Sequence, residues 1–411
     1  MSRIQCRSCG APLSQVFADL GSSPLSNSYL TENQLNRMEP FYPLKAYVCD
    51  SCLLVQLEAF ETPANIFQEY AYFSSYSDSW LQHCREFAES AVPRFGLRGD
   101  SLVIEVASND GYLLQFFRQA GIPVLGIEPA ANVARTAENR GIPTIVEFLG
   151  KQTALAIVDR GHRADLLIGN NVFAHVPELN DFIAGLAALL KPEGVLSLEF
   201  PHLQNLIAEC QFDTIYHEHF SYFSLLAASR ALSRHGLEVF EVEQIPTHGG
   251  SLRVFAAHAA AARQRLTDRP ARVLDHEAKA GLHSISTYLS FDAQAQAAKR
   301  SLLRFLIEAR ENGQRVVGYG APAKGNTLLN YCGIRRDLVD YTVDRNPYKQ
   351  GRYLPGSHLP IFAPERIDET KPDYVLILPW NIRQEIMSQL GRIRSWGGRF
   401  VTPVPRVQIF P

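Results

Sequence analysis

Short, uninterrupted apolar runs bounded by turn residues recur from about residue 100: SLVIEVA (101–107), PVLGIE (123–128), TIVEF (144–148), ADLLIGNN (164–171) and VLSLEF (195–200). Runs this short and continuous suit strands buried on both faces of a parallel sheet. Between them, YLLQFFRQAG and ELNDFIAGLAALLKPEG carry helical spacing, the second closing near Pro192 and Gly194. Alternating strands and helices predict a doubly wound α/β domain. A long helical stretch around 271–312 comes next. Then RVVGYGAPAKGNTLLNYCG, LVDYTVDRNPYKQGRYLPG, PDYVLILPW and GRFVTPVPRVQIF repeat the strand pattern, which predicts a second, smaller Rossmann-like sheet.

Length and charge narrow the classes. A chain of 411 residues exceeds one ordinary core. The net charge of -2 gives no electrostatic footprint for nucleic acid or a membrane surface. No apolar run approaches the ~20 residues of a membrane span, and the opening residues lack a signal-peptide core, so a cytoplasmic protein is expected. Four of the seven cysteines cluster as Cys6-x-x-Cys9 and Cys49-x-x-Cys52. In a reducing compartment such pairs present four thiolates to one tetrahedral ion. Four protein ligands leave no open position, so the expected zinc is structural and completes its site without a partner subunit; a monomer is the expectation. Cys84, Cys210 and Cys332 stand alone and read as core. The aromatic segment FETPANIFQEYAYFSSYSDSW (60–80) reads as a seal between domains or a cover over a ligand. The expected divisions are residues 1–75 for the zinc lobe with its aromatic linker, 76–245 for the cofactor domain, and 246–411 for the connector and second sheet.

After the first strand comes Glu105-Val-Ala107-Ser-Asn109-Asp110-Gly111. It resembles the E/D-x-G-x-G-x-G loop of class I S-adenosylmethionine-dependent methyltransferases, with Ala107 and Asn109 replacing two glycines. Asp110 is placed to meet an ammonium. Glu128, preceding Pro129 at the end of the second strand, is placed to accept ribose hydroxyls. Asn170, Asn171 and Val172 end the fourth strand beside the expected adenine. An acidic strand end also fits NAD, so a nicotinamide-dependent sugar-nucleotide oxidoreductase is the alternative. NAD would want a pyrophosphate loop, however, and Asp110 puts negative charge where phosphates would sit. A cofactor bearing a sulfonium and an ammonium suits this loop better.

The acceptor chemistry concentrates in TIYHEHFSYFS (214–224). It is not H-E-x-x-H, since Ser221 stands where a metalloprotease helix needs its second histidine. The place after the fourth strand holds NNVFAHV, without the proline motif of amino-group methyltransferases. Methylating carbon needs a base near neutrality and donors for the forming oxyanion. Tyr216, His217, Glu218 and His219 supply such groups, and His175 stands at the cofactor edge. In GYGAPAKGNT, Gly318, Gly320 and Lys324 lie where a strand turns into a helix, a natural anion site. Asp344 ends the next strand and Asn346 follows it, placed for base or ribose contacts.

CRSCG, CDSC, YFSSYSDSW, EVASNDGYLL, YHEHFSYFS, THGGSLRVF (247–255) and GYGAPAKGNTLLN occur in order along essentially the whole chain. In this combination the chain resembles the sugar C-methyltransferases that act on nucleotide-linked 4-keto-deoxysugars. The resemblance implies a zinc-binding lobe, a cofactor domain and a C-terminal domain that anchors the nucleotide sugar, which makes Ala321, Lys324, Asp344 and Asn346 candidates for diphosphate or base binding. It implies His219 as the proton-abstracting base, with Tyr216, Glu218, His175 and a tyrosine of YFSSYSDSW lining the reacting pocket. Tyr72 and Tyr76 both match that tyrosine. A TDP-linked sugar methylated at C-3 is the favoured substrate, and no catalytic metal is called for. The block His248 to Arg253 matches too, without a chemical role legible in its residues.

Overall fold

Cys6-Arg-Ser-Cys9-Gly10 and Cys49-Asp-Ser-Cys52-Leu53 fold into the same tight turn in this computed structural model, which describes residues 4–62, 75 and 78–411. In each turn the residue after the second cysteine donates its N–H to the carbonyl of the first: Gly10 to Cys6 and Leu53 to Cys49, both at 2.8 Å. Both are left-handed, with φ of 75° and 62°. Glycine takes that conformation freely, whereas Leu53 does so at about 1–2 kcal/mol. β1 (Gln15–Ser23), β2 (Tyr42–Val48) and β3 (Val55–Leu57) complete the lobe as an antiparallel sheet.

The central domain opens with a helix, Asp78–Arg94. β4 (Val103–Val106), β5 (Val124–Ile127), β6 (Thr144–Ile145), β7 (Ala164–Asn170) and β8 (Leu190–Pro201) then form a parallel sheet. β6 stops short of the TIVEF run. It is an edge strand paired with β5 alone, and Val146 and Phe148 beyond it are 45% and 44% exposed. β8 begins earlier than the apolar pattern suggests. The preceding helix ends at Leu189, Leu190 is already extended at ψ 137°, and Pro192 and Gly194 belong to the strand.

Past β8 the chain leaves the sheet, and β9 (Ser221–Tyr222) pairs antiparallel with β3, Tyr222 opposite Val55. The segment carrying YHEH is thereby stitched to the zinc lobe. β10 (Leu237–Ile245) and β11 (Ser251–His258) return as a hairpin, β11 antiparallel to β8. The order is β6-β5-β4-β7-β8-β11-β10, the class I methyltransferase sheet. The division expected between residues 245 and 246 falls at the turn of this hairpin, so strands on both sides of it share one sheet.

Helices at Arg269–Lys279, Ile285–Leu289 and Phe291–Glu311 form the connector. Glu277 from the first of them is fully buried and caps the helix Leu225–Ser233, accepting from the N–H groups of Leu225 at 2.5 Å and Leu226 at 3.0 Å. His202 meets the same carboxylate at 2.7 Å. The C-terminal sheet runs β14 (Ile361–Phe362), β13 (Thr342–Val343), β12 (Val316–Tyr319), β15 (Tyr374–Ile377), β16 (Arg399–Thr402) and β17 (Gln408–Phe410), parallel except for β17. It is the second Rossmann-like sheet.

The cores cross these divisions. Phe17 of β1 stacks on Phe291 at 4.5 Å, and the two share a core with Leu328, Leu376 and Val401. Cys6, Cys49, Cys52 and Leu54 join the core beneath β7 and β8. No helix among the described residues is long and apolar enough to cross a membrane.

Candidate active site and zinc centre

The four clustered thiols converge. Cys6 Sγ lies 3.5 Å from Cys52 Sγ and Cys9 Sγ 3.5 Å from Cys49 Sγ, and all four sulfurs fall within 4.8 Å of one another. A tetrahedron of Zn–S bonds near 2.3 Å requires sulfurs about 3.8 Å apart. Gln56 Nε2 donates to Cys6 Sγ at 3.2 Å. The neighbouring Cys52 thiol and this amide favour the Cys6 thiolate, pulling its pKa down to about 4 against burial. The set fits a closed structural zinc, held by Cys6, Cys9, Cys49 and Cys52.

At the carboxyl ends of β4, β5 and β7 the loop residues keep a glycine-like backbone without the glycines. Ala107, Asn109 and Gly111 all sit at positive φ: 56°, 49° and 76°. The alternating left-handed residues wrap the loop close to the strand end, and a Cβ on Gly111 would come within 2.9 Å of Ile142. Glu128 is buried and fastened by its own backbone neighbours, accepting from the N–H of Asn109 at 3.0 Å and of Ala130 at 2.8 Å. Pro129 between them turns the chain. Burial raises the Glu128 pKa, and those two donors oppose the rise.

Asp110 is buried; its Oδ2 meets Arg140 at 3.1 Å and the Ser75 hydroxyl, while its Oδ1 has no hydrogen-bond partner among the described residues. Asn170 is also buried, with neither side-chain amide atom partnered among the described residues. Asn171 beside it is left-handed at φ 54°, and Val172 leads into the turn that carries His175. Orphaned polar atoms buried at a strand's carboxyl end call for a polar ligand. An amide beside an acidic, left-handed loop suits S-adenosylmethionine, with its ammonium, ribose and adenine. Glu105 points instead into the layer under the Asp78–Arg94 helix. It is fully buried, and desolvation lifts its pKa far above the carboxylate range, with the Tyr112 hydroxyl opposing the rise.

The YHEH segment delivers four side chains to different ends. His217 turns into the lobe, its Nε2 3.2 Å from the Pro43 carbonyl and its ring edge-on to Tyr42 at 5.8 Å. It is a pin. His219 lies the other way, half-buried, with Nδ1 2.9 Å from the Thr214 carbonyl. A carbonyl only accepts, so the neutral ring carries its proton on Nδ1 and its basic lone pair on Nε2. Tyr216 packs on the ring with centroids 4.0 Å apart, His175 stands edge-on at 4.7 Å and Tyr222 at 6.1 Å. The turn after β7 and the strap after β8 therefore meet at one imidazole. Tyr72 and Tyr76 lie outside the described residues.

Glu218 is buried beside them, and burial pushes its pKa up to about 7 despite a hydrogen bond from Asn27 Nδ2 at 2.7 Å. A carboxyl raised in this way contributes stability that is complete below about pH 4.5 and is lost as pH climbs through about 7. Glu218→Gln cannot ionise. It is expected to melt higher than the wild type at pH 8, by up to about 3 kcal/mol of unfolding free energy, with the gap closed by pH 5. Thermal melts at the two pH values check this, and equal gaps at both would refute it.

The C-terminal domain reaches the same strap. The helix Ala323–Cys332 packs on Phe212–Thr214, just before YHEH, with Tyr331 edge-on to Phe212 at 5.3 Å. Lys324 bonds Asn381 at 2.9 Å and lies 4.6 Å over the Trp380 ring. Trp380 Nε1 donates to the buried Asp213 at 2.7 Å, whose pKa burial lifts to about 6. Asp344 is occupied with its own loop, accepting from Ala321 N–H at 2.7 Å and Asn346 N–H at 2.8 Å. Asn346 in turn caps Tyr348 N–H at 3.0 Å. Asp344 and Asn346 thus shape the loop, and Lys324 acts electrostatically on Asp213, just before the YHEH strap.

Three groups are not evident from sequence. Glu199 at the end of β8 is fully buried, yet it meets Arg253 at 2.8 Å, His83 at 3.0 Å and Thr247 at 3.1 Å. An acid in an otherwise apolar strand is the available signal, and it gives Thr247 and Arg253 of THGGSLRVF a structural task. Gly249 and Gly250 of that block, at φ 92° and 104°, crowd Trp380 with Gln211 and Asn205 respectively. Asp213 and Trp380, and Asn27 with Tyr29, carry no motif at all.

Comparison with known proteins matches three stretches of the chain. Residues 6–67 match a zinc binding domain family, residues 80–242 a methyltransferase domain family, and residues 246–405 a family described as the C-methyltransferase C-terminal domain. C-methyltransferase NovU of Streptomyces niveus is 37% identical over 405 residues, covering 98% of this chain and 96% of its own. Ubiquinone biosynthesis O-methyltransferase of Rhodopseudomonas palustris (strain HaA2) is 26% identical over 113 residues, 28% of this chain and 44% of its own. Among solved structures, magnesium protoporphyrin IX methyltransferase of Synechocystis PCC 6803 is similar over 47% of this chain and 88% of its own, at 18% identity and a TM-score of 0.33. With a zinc lobe, a methyltransferase sheet and a C-methyltransferase C-terminal domain in one chain, and a relative similar along nearly all of it, the protein belongs to the C-methyltransferases and uses S-adenosylmethionine.

Proposed function

We propose that the acceptor is a nucleotide-linked 4-keto-deoxysugar, TDP-linked and methylated at C-3, with His219 as the base. The observation that carries this reading is the His219 ring itself, held by Thr214 so that Nε2 is basic, between Tyr216 and His175. A carbon acid beside a ketone needs one base and an oxyanion donor, and no metal. In the reaction, His219 Nε2 takes the proton from the carbon next to the keto group, and His175 or a tyrosine hydroxyl donates to the enolate oxygen. S-adenosylmethionine, when bound, supplies the electrophilic methyl that this carbon accepts, leaving S-adenosylhomocysteine.

The cofactor contacts proposed are the 105–111 loop, Glu128 and Pro129, and Asn170 to Val172. The sugar nucleotide's diphosphate is assigned to Lys324, in the loop that Ala321 opens. Asp344 and Asn346 hold that loop and offer their remaining lone pairs to ribose or base. Supporting this assignment, Lys324 sits at the first turn of a helix that packs on the residues just before YHEH. A helix N-terminus and an ammonium together favour an anion there.

The test is methyl transfer from isotope-labelled donor to a panel of TDP-, GDP- and CDP-linked keto sugars, with the methylated carbon located by NMR. Label on C-3 of a TDP sugar is expected. Label on oxygen, or no transfer to any keto sugar, would refute the reading; NAD(H) turnover would revive the oxidoreductase alternative. A second arm is Lys324→Ala, expected to raise KM for the sugar nucleotide at least about tenfold, since it removes a charged hydrogen bond, while the cofactor Kd stays unchanged.

A further inference from the structure

The zinc lobe reaches the reacting centre. The loop after β1 presents Asn27, an exposed residue whose Nδ2 donates to Glu218 Oε1 at 2.7 Å. Among the described residues this is the side-chain hydrogen bond that the Glu218 carboxyl receives. Two residues on, the Tyr29 hydroxyl lies 3.2 Å from Asn27 Oδ1 and 2.6 Å from the Ala321 carbonyl. Lys349 Nζ donates to that same carbonyl at 2.9 Å and lies 5.3 Å over the Tyr29 ring. Ala321 is in turn held by Asp344. One continuous line therefore joins the YHEH carboxyl to the loop over Lys324, through two residues of a third domain.

We infer that Asn27 is a positioning residue that orients the Glu218 carboxyl, and that Tyr29 couples this orientation to the sugar-nucleotide loop of the C-terminal domain. The inference rests on the proposed function for its kinetic readout alone. An amide suits the task because it donates to Glu218 with one end, while its oxygen shares with the closer Ala321 carbonyl the single proton of the Tyr29 hydroxyl, without a charge of its own. The line also gives the zinc lobe a part in the reaction beyond holding its own fold. A hydrogen bond to the carboxylate favours its ionised form, so removing Asn27 leaves burial unopposed and moves the Glu218 titration to higher pH. The titratable groups that bear on this line are His217 and His219 on the same strap, Tyr29 from the lobe, and Asp344 and Lys349 from the C-terminal domain.

The experiment compares wild type with Asn27→Ala and Tyr29→Phe in the full, zinc-loaded chain. Carbon-13 carboxyl NMR follows the Glu218 titration, assigned with Glu218→Gln. In Asn27→Ala the Glu218 midpoint is expected to move up, the acid limb of the kcat profile to move with it, and kcat at pH 7 to fall at least about tenfold with KM little changed. Tyr29→Phe is expected to raise KM for the sugar nucleotide several-fold. An unmoved Glu218 midpoint in a folded Asn27→Ala protein overturns the inference, as does an unchanged pH profile. The NMR arm needs no substrate, so failure of the sugar reading and failure of this one are separable.

Discussion

His219→Gln is expected to bind S-adenosylmethionine as the wild type does and to lose methyl transfer by about a thousandfold, within the ~10²–10⁴ range for a positioned general base. The cofactor loop at 105–111 and Glu128 are fastened by backbone contacts of their own, and His219 is on another element. Binding and chemistry should therefore separate. Glutamine keeps a donor that can reach the Thr214 carbonyl, so the strap retains its anchor while the basic nitrogen is gone. Calorimetric titration with the cofactor and a labelled-methyl assay measure the two quantities independently. A His219→Gln enzyme within tenfold of wild-type kcat would remove this residue as the base. A variant that loses cofactor affinity as well would mean the strap shapes both sites.

The second large effect is expected on zinc removal. Apparent binding free energies of structural zinc run to about 10–16 kcal/mol, comparable with the whole stability of a domain at about 5–15 kcal/mol. In a lobe with a four-stranded sheet, the metal is the cross-link between the two knuckles. Its loss should not stay local. Cys6, Cys49 and Cys52 share a core with Phe200, Phe223 and Leu225 of the central domain, and β3 pairs with β9 directly after the YHEH strap. Chelation, or Cys49→Ala, is expected to lower the melting midpoint of the entire protein and to abolish methyl transfer in parallel, and added zinc to restore both to the chelated wild type. Melting curves, metal content and activity on the same samples check it. Verified zinc loss with an unchanged melting curve would contradict the structural role, and a folded apoprotein that regained only its chemistry on metal addition would assign zinc to catalysis.

Locally encoded features are legible in the residues. Continuous apolar runs specify the central strands because parallel strands are buried on both faces. The paired C-x-x-C spacings specify the metal site, since each knuckle is a short turn closed by its own backbone bonds. The cofactor loop is legible despite lacking two glycines, and the structure supplies the reason: Ala107 and Asn109 still adopt the left-handed backbone. TIVEF misleads because apolar residues do not reveal that a strand lies at an edge, with half of its ladder missing. The onset of β8 misleads because Pro192 and Gly194 signal a break, whereas here the strand carries them as an irregularity, its pairing with β7 jumping from Leu190 to Val195.

On their own, then, the residues determine the inventory: two Rossmann-like sheets, a four-thiolate zinc lobe, an acidic cofactor edge and a histidine-rich strap. Which partner each group meets is decided only by tertiary structure. His217 and His219 stand two positions apart, yet one pins the lobe at Pro43 and the other faces His175. Asn27 and Glu218 touch across 191 positions of sequence. Hydrophobic periodicity and turn chemistry act over a few residues, whereas a hydrogen bond between domains depends on how buried faces dock, and nothing in either local pattern encodes that.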